Sequence, residues 1–125
     1  MPLSKTVIPM LSLASINPST VSNSGSTTDL TTPSVMLSVT VTLIYANAGV
    51  IDPAVLEIYS SVDGIVYDTI PFMTATIPVK DGGGTQQLSI NIPASPNFVK
   101  AEVRNNDSGT AVTDVVVTGV KTDAS

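Results

Sequence analysis

The sequence predicts an all-β protein: an antiparallel β-sandwich, jelly-roll-like, of seven or eight short strands and no significant helix. Three observations predict it. Apolar and polar residues alternate with period two over several stretches, which places them on opposite faces of a strand. Val, Ile and Thr, whose branched side chains suit a pleated sheet, are abundant. Gly, Pro, Asn and Asp clusters divide the chain at short intervals, as in sandwiches and barrels.

Taken in order, residues 5–15 form the first expected strand, and Pro9 within it indicates an edge position or a bulge. Residues 1–20 are read as an N-terminal strand or arm suited to docking or strand exchange, and residues 21–125 as the sandwich domain. The opening "MPLSKTVIPMLSLASI" has one cation and an apolar run interrupted by Pro9, unlike a cleavable leader, so it is expected to belong to the mature protein. A short strand is expected at 20–23. The clearest alternation is "VMLSVTVTLIY" (35–45), with Val35, Leu37, Val39, Val41, Leu43 and Tyr45 on one face. "NAG" (47–49) then turns the chain.

Two strands, 54–61 and 65–73, flank Asp63-Gly64, which is expected to be the bend of a hairpin. "KDGGG" (80–84) is a flexible loop, and residues 85–92 alternate again through Leu88, Ile90 and Ile92. In "FVKAEVRN" (98–105) Val99, Ala101 and Val103 alternate with Lys100, Glu102 and Arg104, giving one apolar and one charged face. "NNDSG" (105–109) is turn chemistry, and a hairpin to a last strand at 111–120 is expected.

Composition narrows the function. The 125 residues suit one domain. Charged residues make up only 12%, about half the usual share, while Ser and Thr supply 31 residues. The net charge of −5 and the scattered Lys5, Lys80, Lys100, Arg104 and Lys121 argue against nucleic-acid binding, which needs clustered cations. No apolar run approaches the ~18 residues of a membrane span. Without His or Cys, neither a Ser-His-Asp nor a Cys-His arrangement can form, and no thiolate or imidazole metal site exists.

The remaining candidates are carboxylates. Glu57, Asp63 and Asp68 could form a glycosidase-like pair, but the chain has no Trp and few aromatic residues to hold a sugar. "VDG" and "NNDSG" could offer oxygens to Ca²⁺, yet the spaced aspartates of a calcium loop are missing, and turns require the same residues. "DGGG" (81–84) lacks the Lys-Ser/Thr and helix of a phosphate loop. The expectation is therefore no catalytic residue, no cofactor and no metal.

The segment "LEIYSSVDGIVYDTIPF" resembles a pattern of small virion proteins of tailed bacteriophages, a strand followed by S-x-DG-x-x-Y/W and a second strand. "FVKAEVRNND" matches a late segment of the same pattern. The resemblance covers the arrangement of residues 21–120 but only these two patches in wording. It implies a β-sandwich capsid decoration or auxiliary protein on the capsid surface, made in the host cytoplasm. Its partners would be the major capsid protein and further copies of itself, a trimer favoured. The alternatives are a tail, fibre or connector component, or a carbohydrate-binding module. Val7, Met10, Leu11 and Leu13 in the first strand and Val112, Val116 and Val120 in the last are the candidate interface residues. Val115 and Val117 share the other face of that last strand. Deep burial would explain two apolar faces, and so would an oligomer face.

Overall fold

The alternation at 35–45 becomes the central strand of a sheet. The computed structural model describes residues 3–23, 25–31, 34–46, 50–80 and 82–124, and contains no helix among them. Its strands are β1 (Leu3–Ile16), β2 (Thr20–Val21), β3 (Thr28–Asp29), β4 (Ser34–Tyr45), β5 (Ala54–Ser61), β6 (Met73–Ile77), β7 (Gly84–Pro93), β8 (Phe98–Asn105) and β9 (Val112–Ala124). One sheet has the order β1-β9-β4-β7, and the other β2-β8-β5-β6 with β3 also on β8. Both are antiparallel. The fold is the sandwich the sequence predicts. The short strand expected at 20–23 is β2, and the equally short β3 raises the count above expectation. The expected turn at 47–49 and Asp81 lie outside the described residues.

The core lies between the sheets. From β4 it takes Leu37, Val39, Val41, Leu43 and Tyr45; opposite them stand Leu56 and Ile58 of β5 and Val99 and Val103 of β8, all buried. Each such side chain contributes roughly 1.5–3 kcal/mol on burial. Tyr45 brings a polar atom inside and satisfies it: its hydroxyl donates to the Ile77 carbonyl at 2.5 Å and accepts from the Ala54 amide at 2.8 Å.

Two bulges change which residues face inward. The β1–β9 register shifts between Pro9 and Leu11, so Met10 is the extra residue. Its side chain packs over Gly119, where an added Cβ would lie 3.1 Å from Met10 Sδ. In β9, Asp114 adopts a left-handed backbone (φ 49°), and the β4–β9 register shifts there. Val112 thereby joins Val115 and Val117 in the core instead of facing outward with Val116. The described part of the 1–20 segment is an edge strand of its own chain's sandwich, paired with β9 from Leu3 to Ile16.

Two expected hairpins are corrected. β8 and β9 lie in different sheets. The buried Asn105 turns the chain from one to the other: its amide nitrogen donates to the Ile16, Asn17 and Thr110 carbonyls, and its oxygen accepts the Asp107 amide. Asp107 in turn accepts from the Ile51, Asp52 and Gly109 amides, which hold its carboxyl below the usual carboxylate range. Likewise residues 65–72 are not a strand. β5 does pair with β6, but β6 begins only at Met73, and residues 62–72 form a long loop.

Ser22, Gly25 and Ser26 close one side of the sandwich. The Ser22 and Gly25 amides donate to Val103 and Ala101 of β8, and the Ser26 amide donates to Met10 of β1. Gly25 sits in the seam so tightly that a Cβ would stand 2.3 Å from the Met10 oxygen and 2.8 Å from that of Ala101.

Candidate interaction surface

The loop 62–72 is held by its own polar groups. Asp63 Oδ1 accepts the Ile65 amide at 2.8 Å, the Val66 amide at 3.0 Å and the Ser61 hydroxyl at 3.0 Å. These bonds, led by the Ile65 amide, favour the ionised form and lower its pKa. Gly64 takes φ 78° against the face of Phe98, where a side chain would meet both strain and the ring. Farther along, Asp68 accepts from the Ser60 hydroxyl, the Asp68 amide donates to the Ser60 carbonyl, and the Tyr67 hydroxyl donates to Thr27. The Lys100 ammonium lies 4.6 Å from the Tyr67 ring centre.

What this scaffold presents is apolar. Val62, Ile65, Val66 and Ile70 are exposed, Ile65 by 83% and Ile70 by 75%. Four large aliphatic side chains thus stand open to water on one loop.

The three candidate carboxylates divide between two places. Asp63 is committed to the turn and Asp68 to Ser60. Both line an open depression of ≈ 350 Å³ with Ser95 and Asn97. Glu57 faces Arg104 and Tyr59 instead. No group of three or more metal-ligating side chains exists among the described residues. Of the five aromatics, Tyr45 and Tyr59 are buried and Phe98 lies under Gly64, which leaves Tyr67 and Phe72 accessible on the loop.

The outer faces of the two sheets differ. On the β5–β8 sheet, Glu57 stands directly opposite Glu102. Arg104 lies 3.5 Å from Glu57 and Lys100 3.5 Å from Glu102, so each carboxylate has a cation at hand. Glu57 raises the Arg104 pKa. Burial first, and Glu57 second, raises that of Tyr59.

The outer face of the β1-β9-β4-β7 sheet is built from cross-strand rows. Pro9, Thr118, Thr40 and Ser89 form the middle row, flanked by Ser12, Val116, Thr42 and Gln87 on one side and Val7, Val120, Ser38 and Asn91 on the other. Thr40 and Ser89 share a hydrogen bond of 2.7 Å, and the Thr42 hydroxyl donates to Gln87 at 3.3 Å.

The sequence-based interface residues therefore divide. Val7 (67% exposed) and Val116 (41%) lie on this outer face, with Val120 between them and partly covered. Met10, Leu11 and Val112 are core residues, turned inward at the bulges, and Leu13 packs partly buried against the same core. Met10, Leu11 and Val112 form no surface in the protomer. The exposed aliphatics of 62–72 were missed because Ile, Val and Tyr in a row read as a strand. The available signal was the acceptor chemistry of Ser61, Asp63 and Asp68 within that run.

No protein-family model matches the chain, and no curated protein sequence does. Among solved structures it is similar to the SPBc2 prophage-derived protein YomS, with a TM-score of 0.51, 14% identity and coverage of 98% of this chain and 96% of that one. It is similar to murine APRIL with a TM-score of 0.50 and 6% identity, covering 94% and 98%. It also matches part of dimeric latent PorU from Porphyromonas gingivalis with a TM-score of 0.58 and 11% identity, over 98% of this chain and 13% of PorU. At these identities the likeness concerns the fold, a β-sandwich of jelly-roll type.

Proposed function

We propose that this chain is a non-enzymatic structural component of a phage virion, a decoration or auxiliary protein that docks on the capsid surface through the loop 62–72. The observation that carries this reading is the loop itself: an aliphatic surface of Val62, Ile65, Val66 and Ile70, ordered by hydrogen bonds before any partner arrives. Preorganisation removes much of the ordering cost of binding. The likeness to a prophage-derived protein over nearly the full length of both chains supports the setting, as does the sequence pattern around Asp63-Gly64.

The mechanism is passive. Covering four aliphatic side chains yields roughly 6–12 kcal/mol gross, comparable with the ~4–15 kcal/mol cost of association. One loop alone therefore binds weakly, and repeated attachment to a lattice supplies the rest through effective concentration. The partner in this reading is the major capsid protein, and the protein reaches it in the host cytoplasm, where it is made.

Quantitative mass spectrometry of purified particles tests the proposal. Copies comparable in number to the major capsid protein are expected. A few copies per particle would move the protein to the tail, fibre or connector, and absence from particles would overturn the virion reading.

A further inference from the structure

We propose that two copies of this chain stack face to face through the outer surface of the β1-β9-β4-β7 sheet, about a two-fold axis that lies in the interface and crosses the strands. This surface belongs to the sheet opposite the one that carries loop 62–72, so the inference stands independently of capsid docking.

Charge selects the occupant. In a two-fold interface every patch meets a copy of itself, so like charges are forced together unless the symmetry separates them. The chain carries a net charge of −5, yet the rows of this face hold hydroxyls, amides and aliphatics. Its charges are confined to the ends: Lys5, in register with Thr122 at one end, and Asp114, at the β9 bulge at the other. Both are exposed, and neither has an ion-pair partner among the described residues. An axis along the strands would lay β1 over β7 and keep both Lys5 residues at one end and both Asp114 residues at the other, so that no opposite charges face each other. An axis across them carries the Lys5 end of one copy over the Asp114 end of the other, where the two charges attract. A partner of different sequence would need no such neutrality.

Area and edge chemistry agree. Four strands about 4.8 Å apart and about ten residues long offer roughly 650 Å² per copy, near the ~800 Å² per partner of a standard interface. The Thr40–Ser89 and Thr42–Gln87 bonds already satisfy part of the polar surface, which lowers the cost of removing water. Edge-to-edge growth is blocked on the β1 side by Pro9, the Met10 bulge and the Ser26 amide on the Met10 carbonyl, so the face is left for assembly.

Sedimentation equilibrium of the purified chain decides the matter. A monomer–dimer equilibrium is expected at or below ~100 µM. Thr118→Lys, in the middle row, sets cations against each other near the axis and should leave a monomer. Lys5→Glu should weaken the dimer about tenfold by repulsion from Asp114 at two symmetric places. Adding Asp114→Asn, which keeps a residue tolerant of the left-handed backbone, should recover most of that loss. A wild type that stays monomeric, a trimer, or a dimer indifferent to Thr118→Lys would overturn the proposal. If Thr118→Lys fails to fold, the exposed pair Lys5→Glu and Lys5→Glu/Asp114→Asn carries the test, and absence of rescue contradicts it.

Discussion

The two outer faces of this sandwich share one backbone geometry and differ in what their side chains require. On the β5–β8 sheet, Glu57 and Glu102 oppose each other, and Arg104, Lys100, Tyr59 and Tyr67 gather around them. That face is satisfied from within, and the 62–72 loop reaches it through Tyr67. The β4 face has little charge to satisfy, with Thr40 bonded to Ser89, Thr42 to Gln87, and charges only at its ends. A face that pairs its own charges leaves a partner little to neutralise, whereas one without charge across its middle brings no like charges together when it meets a copy of itself.

The sandwich is most sensitive to substitution where the sheets are joined. Gly25→Ala should destabilise the protein by about 3 kcal/mol, because the new Cβ would meet two backbone oxygens that cannot move without opening the seam. Chemical denaturation reads this as a lower midpoint with an unchanged slope. Asn105→Ala should cost about 2–3 kcal/mol, since carbonyls of both β1 and the β8–β9 turn lose a buried donor.

On the charged face, Glu57→Gln should cost about 1 kcal/mol, part of the loss coming from the Arg104 pair. It should also lower the pKa of Tyr59, which Glu57 helps to raise, and spectrophotometric titration of the phenol would show it. Acid gives a related effect. Asp63 and Asp107 have folded pKa values below the ~3.9 of an unfolded chain. Their stabilisation is complete above that value and disappears as the pH falls through the lower folded ones. Denaturation midpoints should hold down to about pH 4 and drop below it, less so in Asp63→Asn. Smallest of all is Thr118→Lys, which should change protomer stability by less than about 0.5 kcal/mol because the side chain points outward.

Much of this architecture was legible in the sequence where one period governs a whole strand. β7, β8 and β4 from Leu37 onward keep strict alternation, and their buried residues are the ones the period names; Val35, at the β4 register shift, is exposed instead. Legibility failed where one residue breaks the period. The left-handed Asp114 and the extra Met10 carry Val112, Met10 and Leu11 into the core, and only backbone conformation shows this. The β8–β9 hairpin failed for another reason. "NNDSG" has turn chemistry, but Asn105 and Asp107 spend it on distant backbone and so set the direction of the turn. Loop 62–72 had the composition of a strand, and its exposed aliphatics acquire meaning only once no sheet is found to pair them.

Hydroxyl-radical footprinting of the protein on purified particles against the free protein tests whether 62–72 is the docking element. Val62, Ile65, Val66 and Ile70 are expected to lose reactivity on the particle. Tyr59, already buried, should change little. Unchanged reactivity in all four loop residues, with protection elsewhere on the surface, would contradict docking through this loop.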